Sequence, residues 1–309
     1  MRLLIVPFSG FSFFHITKVK QLLLLLILSV CLISLCCSKN KPTKPDDGLP
    51  HYWPRYTDME PTWSPDGKTI TYIHGGLDYP EDPAGIFLIN IDGTNNRLFY
   101  EGASAYSPDF SPDGNWIVFS DYAQIFKIKL NRDSLTQLTF GGRNFFPDWS
   151  PDGMKISYGR STNEPDTSAD SSSSGIWIMD SNGTNKICVG AGEYPDWSLD
   201  SEKILCEIAS YTPGNNYVDH YFWILSLEDT SHIRLPLVKG DNRYPVFSPD
   251  GKKIAFSSMY YSAPVIYVMD SDGKNLKLLT PEGGDNPSWS PDGKYIAYTY
   301  IQIMEGYLL

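Results

Sequence analysis

The sequence predicts an all-β fold: a six-bladed β-propeller of four-stranded antiparallel blades, its last blade incomplete and closed by an N-terminal strand. Three observations carry this. A turn motif, WSPDGK at Trp63 and again at Trp289, stands in near copies at Phe110 (FSPDGN), Trp149 (WSPDGM), Trp197 (WSLDSE) and Phe247 (FSPDGK). The motif aromatics are 47, 39, 48, 50 and 42 residues apart, the spacing of a repeat whose unit is a propeller blade. Between the motifs run short segments rich in Ile, Val, Tyr and Phe, bounded by Gly, Asp, Asn and Pro, and no stretch after residue 40 keeps helical spacing.

Each unit reads as four strands, A to D. Strand A carries Pro-x-Trp-Ser. The SPDG turn leads to B, exemplified by Lys155-Ile156-Ser157-Tyr158, and a loop of variable length leads to C, exemplified by the run from Gly85. An Asp-Gly or Asn-Gly turn then leads to D. One such sheet buries neither face alone, so the motif aromatics are expected to fill the space between stacked blades.

The turn has a chemical logic. Pro suits the first corner, Asp bonds nearby backbone amides, and Gly accepts the positive φ that follows. The predicted structural set is therefore Trp63, Asp66 and Gly67; Phe110, Asp113 and Gly114; Trp149, Asp152 and Gly153; Trp197; Phe247, Asp250 and Gly251; and Trp289, Asp292 and Gly293. Lys68-Thr69 follow the first SPDG, but Thr62 stands where a phosphate loop needs its first glycine, so the motif is not a phosphate loop. The segment from Asp270, DSDGKN, resembles the start of a calcium loop but lacks a glycine and a distal Glu at EF-hand spacing, and reads as a hairpin turn.

The pattern PxWSPDGK…IaF…IyvMDxdG…LT resembles the TolB-like, WD-repeat-like propeller repeat family. The resemblance covers roughly residues 50 to 309. It implies a propeller in the bacterial envelope that binds proteins. The α/β domain that precedes the propeller in TolB is not expected here, since about a dozen polar residues separate the leader from the first blade.

Closure is a sharper problem. The sixth unit has strands A and B, but only Tyr307-Leu308-Leu309 for C and nothing for D. In the complete units strand D sits about 11 residues before the next motif aromatic, and counting back from Trp63 lands on Tyr52 and Trp53. Residues 51–56, HYWPRY, are therefore expected to supply the outer strand of blade 6, giving a propeller over 51–309.

The N-terminus reads as an address. Lys18 and Lys20 precede the apolar run Leu22 to Leu35, too short for an ordinary membrane span and right for a secretory leader. Cys36 and Cys37 follow, then a polar linker over 38–50. This is similar to a bacterial lipoprotein signal, with lipid attachment at Cys36 or Cys37 and a leader over 1–37. Residues 1–17 fit poorly in front of the basic segment, and Val19 is a candidate start of translation. The expected location is the envelope membrane, facing the periplasm or the cell surface.

Net charge is −11 for the whole chain and −14 beyond residue 37. Such acidity argues against nucleic acid, whose phosphates need clustered Lys and Arg. Cys188 and Cys206 fall on neighbouring units, as buried thiols or as a disulfide.

Function is expected on the face of the B–C and D–A loops, where acids (Asp78, Glu81, Asp82, Glu164, Asp166, Asp170, Asp219) and tyrosines (Tyr79, Tyr211, Tyr217, Tyr260, Tyr261) gather. Asp109, Asp148 and Asp196 precede the motif aromatic on three consecutive blades. They either rim the channel mouth and bind a cation or basic group, or accept local backbone hydrogen bonds. The four histidines after the leader, His51, His74, His220 and His232, form no HxH or HExxH, and no Gly-x-Ser-x-Gly elbow exists. No catalytic residue, cofactor or metal is therefore assigned. The expected function is a monomeric protein-interaction scaffold with an envelope protein or peptide partner. The alternatives are a carbohydrate or cell-wall binder and, more distantly, a metal-dependent polysaccharide lyase.

Overall fold

The computed structural model describes residues 2–7, 57–75, 83–162, 174–211, 218–236, 240–260 and 263–300. Every regular element among them is a β-strand. An N-terminal strand, β1 (Arg2–Pro7), is followed by five complete blades. Blade 1 is β2 (Thr57–Trp63), β3 (Thr69–Gly75), β4 (Gly85–Asn90) and β5 (Arg97–Glu101). Blade 2 is β6 (Tyr106–Phe110), β7 (Trp116–Asp121), β8 (Gln124–Lys129) and β9 (Leu135–Gln137). Blade 3 is β10 (Arg143–Trp149), β11 (Lys155–Ser161), β12 (Gly175–Asp180) and β13 (Ile187–Gly190). Blade 4 is β14 (Glu193–Trp197), β15 (Lys203–Tyr211), β16 (Val218–Ser226) and β17 (His232–Arg234). Blade 5 is β18 (Asn242–Phe247), β19 (Lys253–Tyr260), β20 (Ala263–Asp270) and β21 (Lys277–Leu278). Blade 6 holds β22 (Asp285–Trp289) and β23 (Tyr295–Tyr300). The blades form a ring, and the fold is the expected six-bladed propeller.

The core is six separate wedges between blades. Each motif aromatic sits in the wedge between its own blade and the one before it. Phe110 packs with Ile86, Leu88 and Phe119; Trp149 with Ile125 and Tyr158; Trp197 with Ile176 and Ile204. Phe247 packs on the wedge of Leu205, Phe222 and Phe256, and Trp289 on that of Ala255 and Val268. Trp63 closes the ring, packing with Ile70, Tyr72 and Ala297 of blade 6. The Trp63 indole N–H donates to the Ser288 carbonyl at 3.2 Å across the same seam.

Blade 6 is completed from an unexpected place. β1 pairs antiparallel with β23 from Arg2↔Tyr300 to Pro7↔Tyr295. It lies beside strand B, the position that strand C takes in the other blades. The sequence pointed instead to residues 51–56 as an outer strand; these lie outside the described residues. Repeat spacing locates an outer D strand, whereas the open ladder of blade 6 is the one beside B. The short aliphatic run from Arg2 to Pro7 fills it. Lipid attachment at Cys36 or Cys37 would separate β1 from the propeller.

The SPDG turns are built as the chemistry anticipates. In the first, the Ser64 hydroxyl donates to Asp66 Oδ1 at 2.7 Å and accepts from the Thr69 N–H at 2.9 Å. Asp66 Oδ1 also accepts the Lys68 N–H at 3.0 Å. The same Ser–Asp pair recurs at Ser111–Asp113, Ser150–Asp152, Ser198–Asp200, Ser248–Asp250 and Ser290–Asp292. These donors hold Asp66, Asp113, Asp200 and Asp250 below the usual carboxylate range, and Asp292 down to about 2. Cys188 and Cys206 are both free, exposed on β13 and buried on β15 respectively, so the disulfide reading is corrected.

Two glycines separate conformational strain from steric clash. At Gly251 φ is +68° and a Cβ would meet nothing within 4 Å, so Gly251→Ala costs only the left-handed backbone, about 1–2 kcal/mol. At Gly85 a Cβ would stand 2.1 Å from the Tyr100 carbonyl oxygen. Gly85→Ala is expected to cost roughly twice as much or more. Denaturant unfolding of both variants checks this; equal losses would contradict the assignment.

Candidate functional site

The inner strands of all six blades share one irregularity. In each strand A the register against strand B shifts at the residue before the proline, between Met59 and Thr62 in blade 1 and at equivalent places in the others. The residue before the proline has positive φ in every case: Glu60 53°, Ser107 50°, Phe146 54°, Tyr194 52°, Tyr244 54° and Asn286 50°. A bulky residue in this region is an outlier, and here it recurs on three adjacent blades. Each is a β-bulge, and proline suits it because a bulged position needs no ladder N–H. The bulge re-aims the side chain, and all six line the central cavity.

The cavity has a volume of about 330 Å³. Its wall has two tiers. The bulge residues form one. The other is Thr62, Asp109, Asp148, Asp196, Val246 and Ser288, two positions further along each strand. The lining continues to Pro249 and Pro291 of the turns. The cavity lined by the described residues therefore reaches the uniform turn face, whereas the sequence pointed to the variable loops. That expectation also fell largely outside the described residues: Asp78, Glu81, Asp82, Glu164, Asp166 and Asp170 lie there, as do Tyr79, Tyr217, Tyr261 and His51. Asp219 is the second residue of β16 and is half-buried, Tyr211 and Tyr260 end strands, and His232 is exposed on β17.

One side of the bulge tier is aromatic. The Phe146 and Tyr194 rings lie 3.8 Å apart between centroids, and Tyr194 meets Tyr244 edge-on at 4.6 Å. Burial pushes both tyrosine hydroxyls up, Tyr244 to about 12. The opposite side is polar. Glu60 accepts the Ser107 N–H at 2.5 Å and its hydroxyl at 3.3 Å, joining blade 1 to blade 2. Burial raises the Glu60 carboxyl against the pull of these donors. It likewise raises Asp285.

The three predicted aspartates come together in the second tier. Their backbone bonds cross between blades. Asp109 accepts the Trp149 N–H at 2.8 Å, Asp148 the Trp197 N–H at 2.9 Å, and Asp196 the Phe247 N–H at 2.8 Å. Each carboxylate thus holds the motif aromatic of the next blade in place. Their other oxygens are close enough to interact. Burial raises Asp109 to about 7. Burial and then repulsion from Asp109 raise Asp196 to about 8. Burial and the charges of both neighbours raise Asp148 well above its usual value. Asp109 and Asp148 interact closely enough to titrate as a pair.

Two histidines carry carboxylate partners. His74 Nδ1 lies 2.7 Å from Asp58 on blade 1. His220 Nδ1 lies 2.5 Å from the buried Glu207, and its Nε2 lies 3.6 Å from Asp241, itself bonded by Arg243 Nε at 2.5 Å. The bond to Glu207 raises His220, and burial raises Glu207. Among the described residues no three His, Cys, Asp or Glu side chains are placed to share a metal ion. The lyase reading finds no ligand set there.

Residues 163–302 match the family described as "TolB beta propeller domain". The propeller is TolB-like. It is 35% identical over 96 residues to the uncharacterized protein Atu1656 of Agrobacterium fabrum, covering 29% of each chain. It is 28% identical over 259 residues to the Tol-Pal system protein TolB of Francisella tularensis subsp. mediasiatica, covering 75% of this chain and 54% of that one. The chain thus spans about half of the one curated relative and less of the other. A putative TolB from Agrobacterium tumefaciens superimposes with TM-score 0.62 at 21% identity, covering 80% of this chain and 91% of that one. An oligogalacturonate lyase in complex with manganese superimposes at 0.51 and 12%, covering 81% and 91%. Both structural likenesses speak to the fold alone.

The raised aspartates make stability depend on pH. A carboxyl whose folded pKa exceeds its unfolded value of about 3.9 binds more protons when folded, so stability falls as pH rises from there toward the folded pKa. For Asp109 and Asp196 the loss completes near pH 7 to 8. His220 acts in the same direction through its own raised pKa, losing stability as pH rises past it. Unfolding midpoints are therefore expected to fall between pH 5 and about 8. Asp148→Asn, which removes a charge from the centre of the three, is expected to flatten that fall. A midpoint rising with pH over this range would contradict it.

Proposed function

We propose that this chain is a lipid-anchored envelope propeller that presents its channel mouth to a protein or peptide partner. The observation that carries the reading is the two-tiered cavity. Six identical bulges on rigid inner strands set an aromatic wall beside a polar one, above three carboxylates. A preformed wall of this kind binds with little ordering cost. The TolB-like repeats support a protein partner, and the leader-like run ending at Cys36 supports the anchor and the envelope location. The acidic balance favours a basic or neutral partner surface over nucleic acid.

The test is a pull-down from envelope extract with the full chain beside the Asp109→Asn/Asp148→Asn/Asp196→Asn variant. Asn retains an acceptor for the neighbouring N–H, so the blades stay joined while the charge is lost. Capture of a protein by the parent and its loss in the variant is the expected result. Equal capture by both would move the binding surface away from the channel. Capture by neither, together with retention on glycan, would favour the carbohydrate reading.

A further inference from the structure

We infer that the outer edge of β23 is a strand-acceptor site, which takes an extended aliphatic segment of a partner protein once the chain's own β1 has been removed. The inference rests on the leader reading above. Processing before Cys36 or Cys37 releases everything upstream, and that includes Arg2–Pro7.

The structure shows what the edge accepts. β1 runs antiparallel along the whole of β23, six residues against six. Adjacent residues of the incoming strand enter opposite wedges. Ile5 packs against the Trp63, Ile70 and Tyr72 wedge shared with blade 1. Val6 packs against the Trp289, Ile296 and Val268 wedge shared with blade 5. The alternation is that of a strand whose two faces are both covered. Pro7 ends the pairing opposite Tyr295, since proline has no N–H to continue a ladder.

Removing this strand leaves two deficits at once. β23 loses its ladder partner along its length, which is the template for strand addition. Both flanking wedges lose the apolar groups that strand C delivers elsewhere, such as Ile86 and Ile89 to the two sides of blade 1 and Ile178 and Met179 to the two sides of blade 3. The edge therefore asks for an extended segment with branched aliphatics at two adjacent positions. Backbone pairing supplies affinity, and the two wedges supply selectivity.

The test uses the full chain. In the Ile5→Asp/Val6→Asp variant two charges oppose docking of β1, and the edge is freed without cleavage. The probe is a fluorescent peptide of sequence RLLIVP, with RLLDDP as control. RLLIVP is expected to bind the variant, to slow hydrogen exchange at Tyr295–Tyr300, and to bind the unsubstituted chain at least about ten-fold more weakly, because β1 already occupies the edge. Absence of binding to a variant whose blades 1 to 5 keep their exchange protection would overturn the inference. So would equal binding to both chains. So would protection of Tyr295–Tyr300 that grows with protein concentration alone, because a second copy would then be the occupant. Should the double variant fail to fold, Val6→Asn alone serves the same purpose. Intact mass of the chain recovered from membranes tests the leader reading separately: a chain retaining residues 1–35 defeats processing while leaving the peptide result to stand on its own.

Discussion

A four-stranded blade has two apolar faces and nothing of its own to cover them. Everything else in this structure follows from that. The faces are covered only when each blade lies between two others, so the ring must close, and the closing seam must be as well packed as the rest. The motif aromatics do most of the filling. One of them stands in each of the six wedges, with Trp63 reaching from blade 1 to the backbone of Ser288 in blade 6.

Aromatic packing is tolerant of sliding, and the inner strands supply what fixes it. Asp109, Asp148 and Asp196 bond the backbone of the following blade at the motif aromatic itself. Glu60 does the same one tier away, at Ser107. These carboxylates are structural ties, and they also line the cavity. Their burial and mutual repulsion are the cost of that double role, and both raise the carboxyls above their usual range.

The architecture was legible because repetition reports a local rule six times. SPDG specified a turn, and the alternation of β-type runs with Gly and Asp punctuation specified four strands per unit. The aspartates were visible for the same reason, although the sequence offered local backbone bonds where the structure has bonds between blades. The bulge tier was missed. Its signal was present as a residue before proline in every strand A, but Glu, Ser, Phe, Tyr, Tyr and Asn share no chemistry, and only the backbone unites them. Closure by β1 was missed because Arg2–Pro7 stands apart from the repeats and beyond the leader-like run, where spacing has no purchase. The sequence pointed function to the variable loops, most of which lie outside the described residues, whereas the cavity lined by the described residues reaches the turn face.

The central claim is that the three aspartates are turned inward, tied across blades and close enough to raise one another's pKa values. Selective ¹³C labelling of aspartate carboxyls, with titration by NMR of the intact chain, reads this directly. The account predicts that Asp109 titrates near 7 and Asp196 near 8, far above the SPDG aspartate Asp292 near 2 in the same spectra. Titration of all three channel aspartates in the ordinary carboxylate range would place them in open solvent and contradict the site as described.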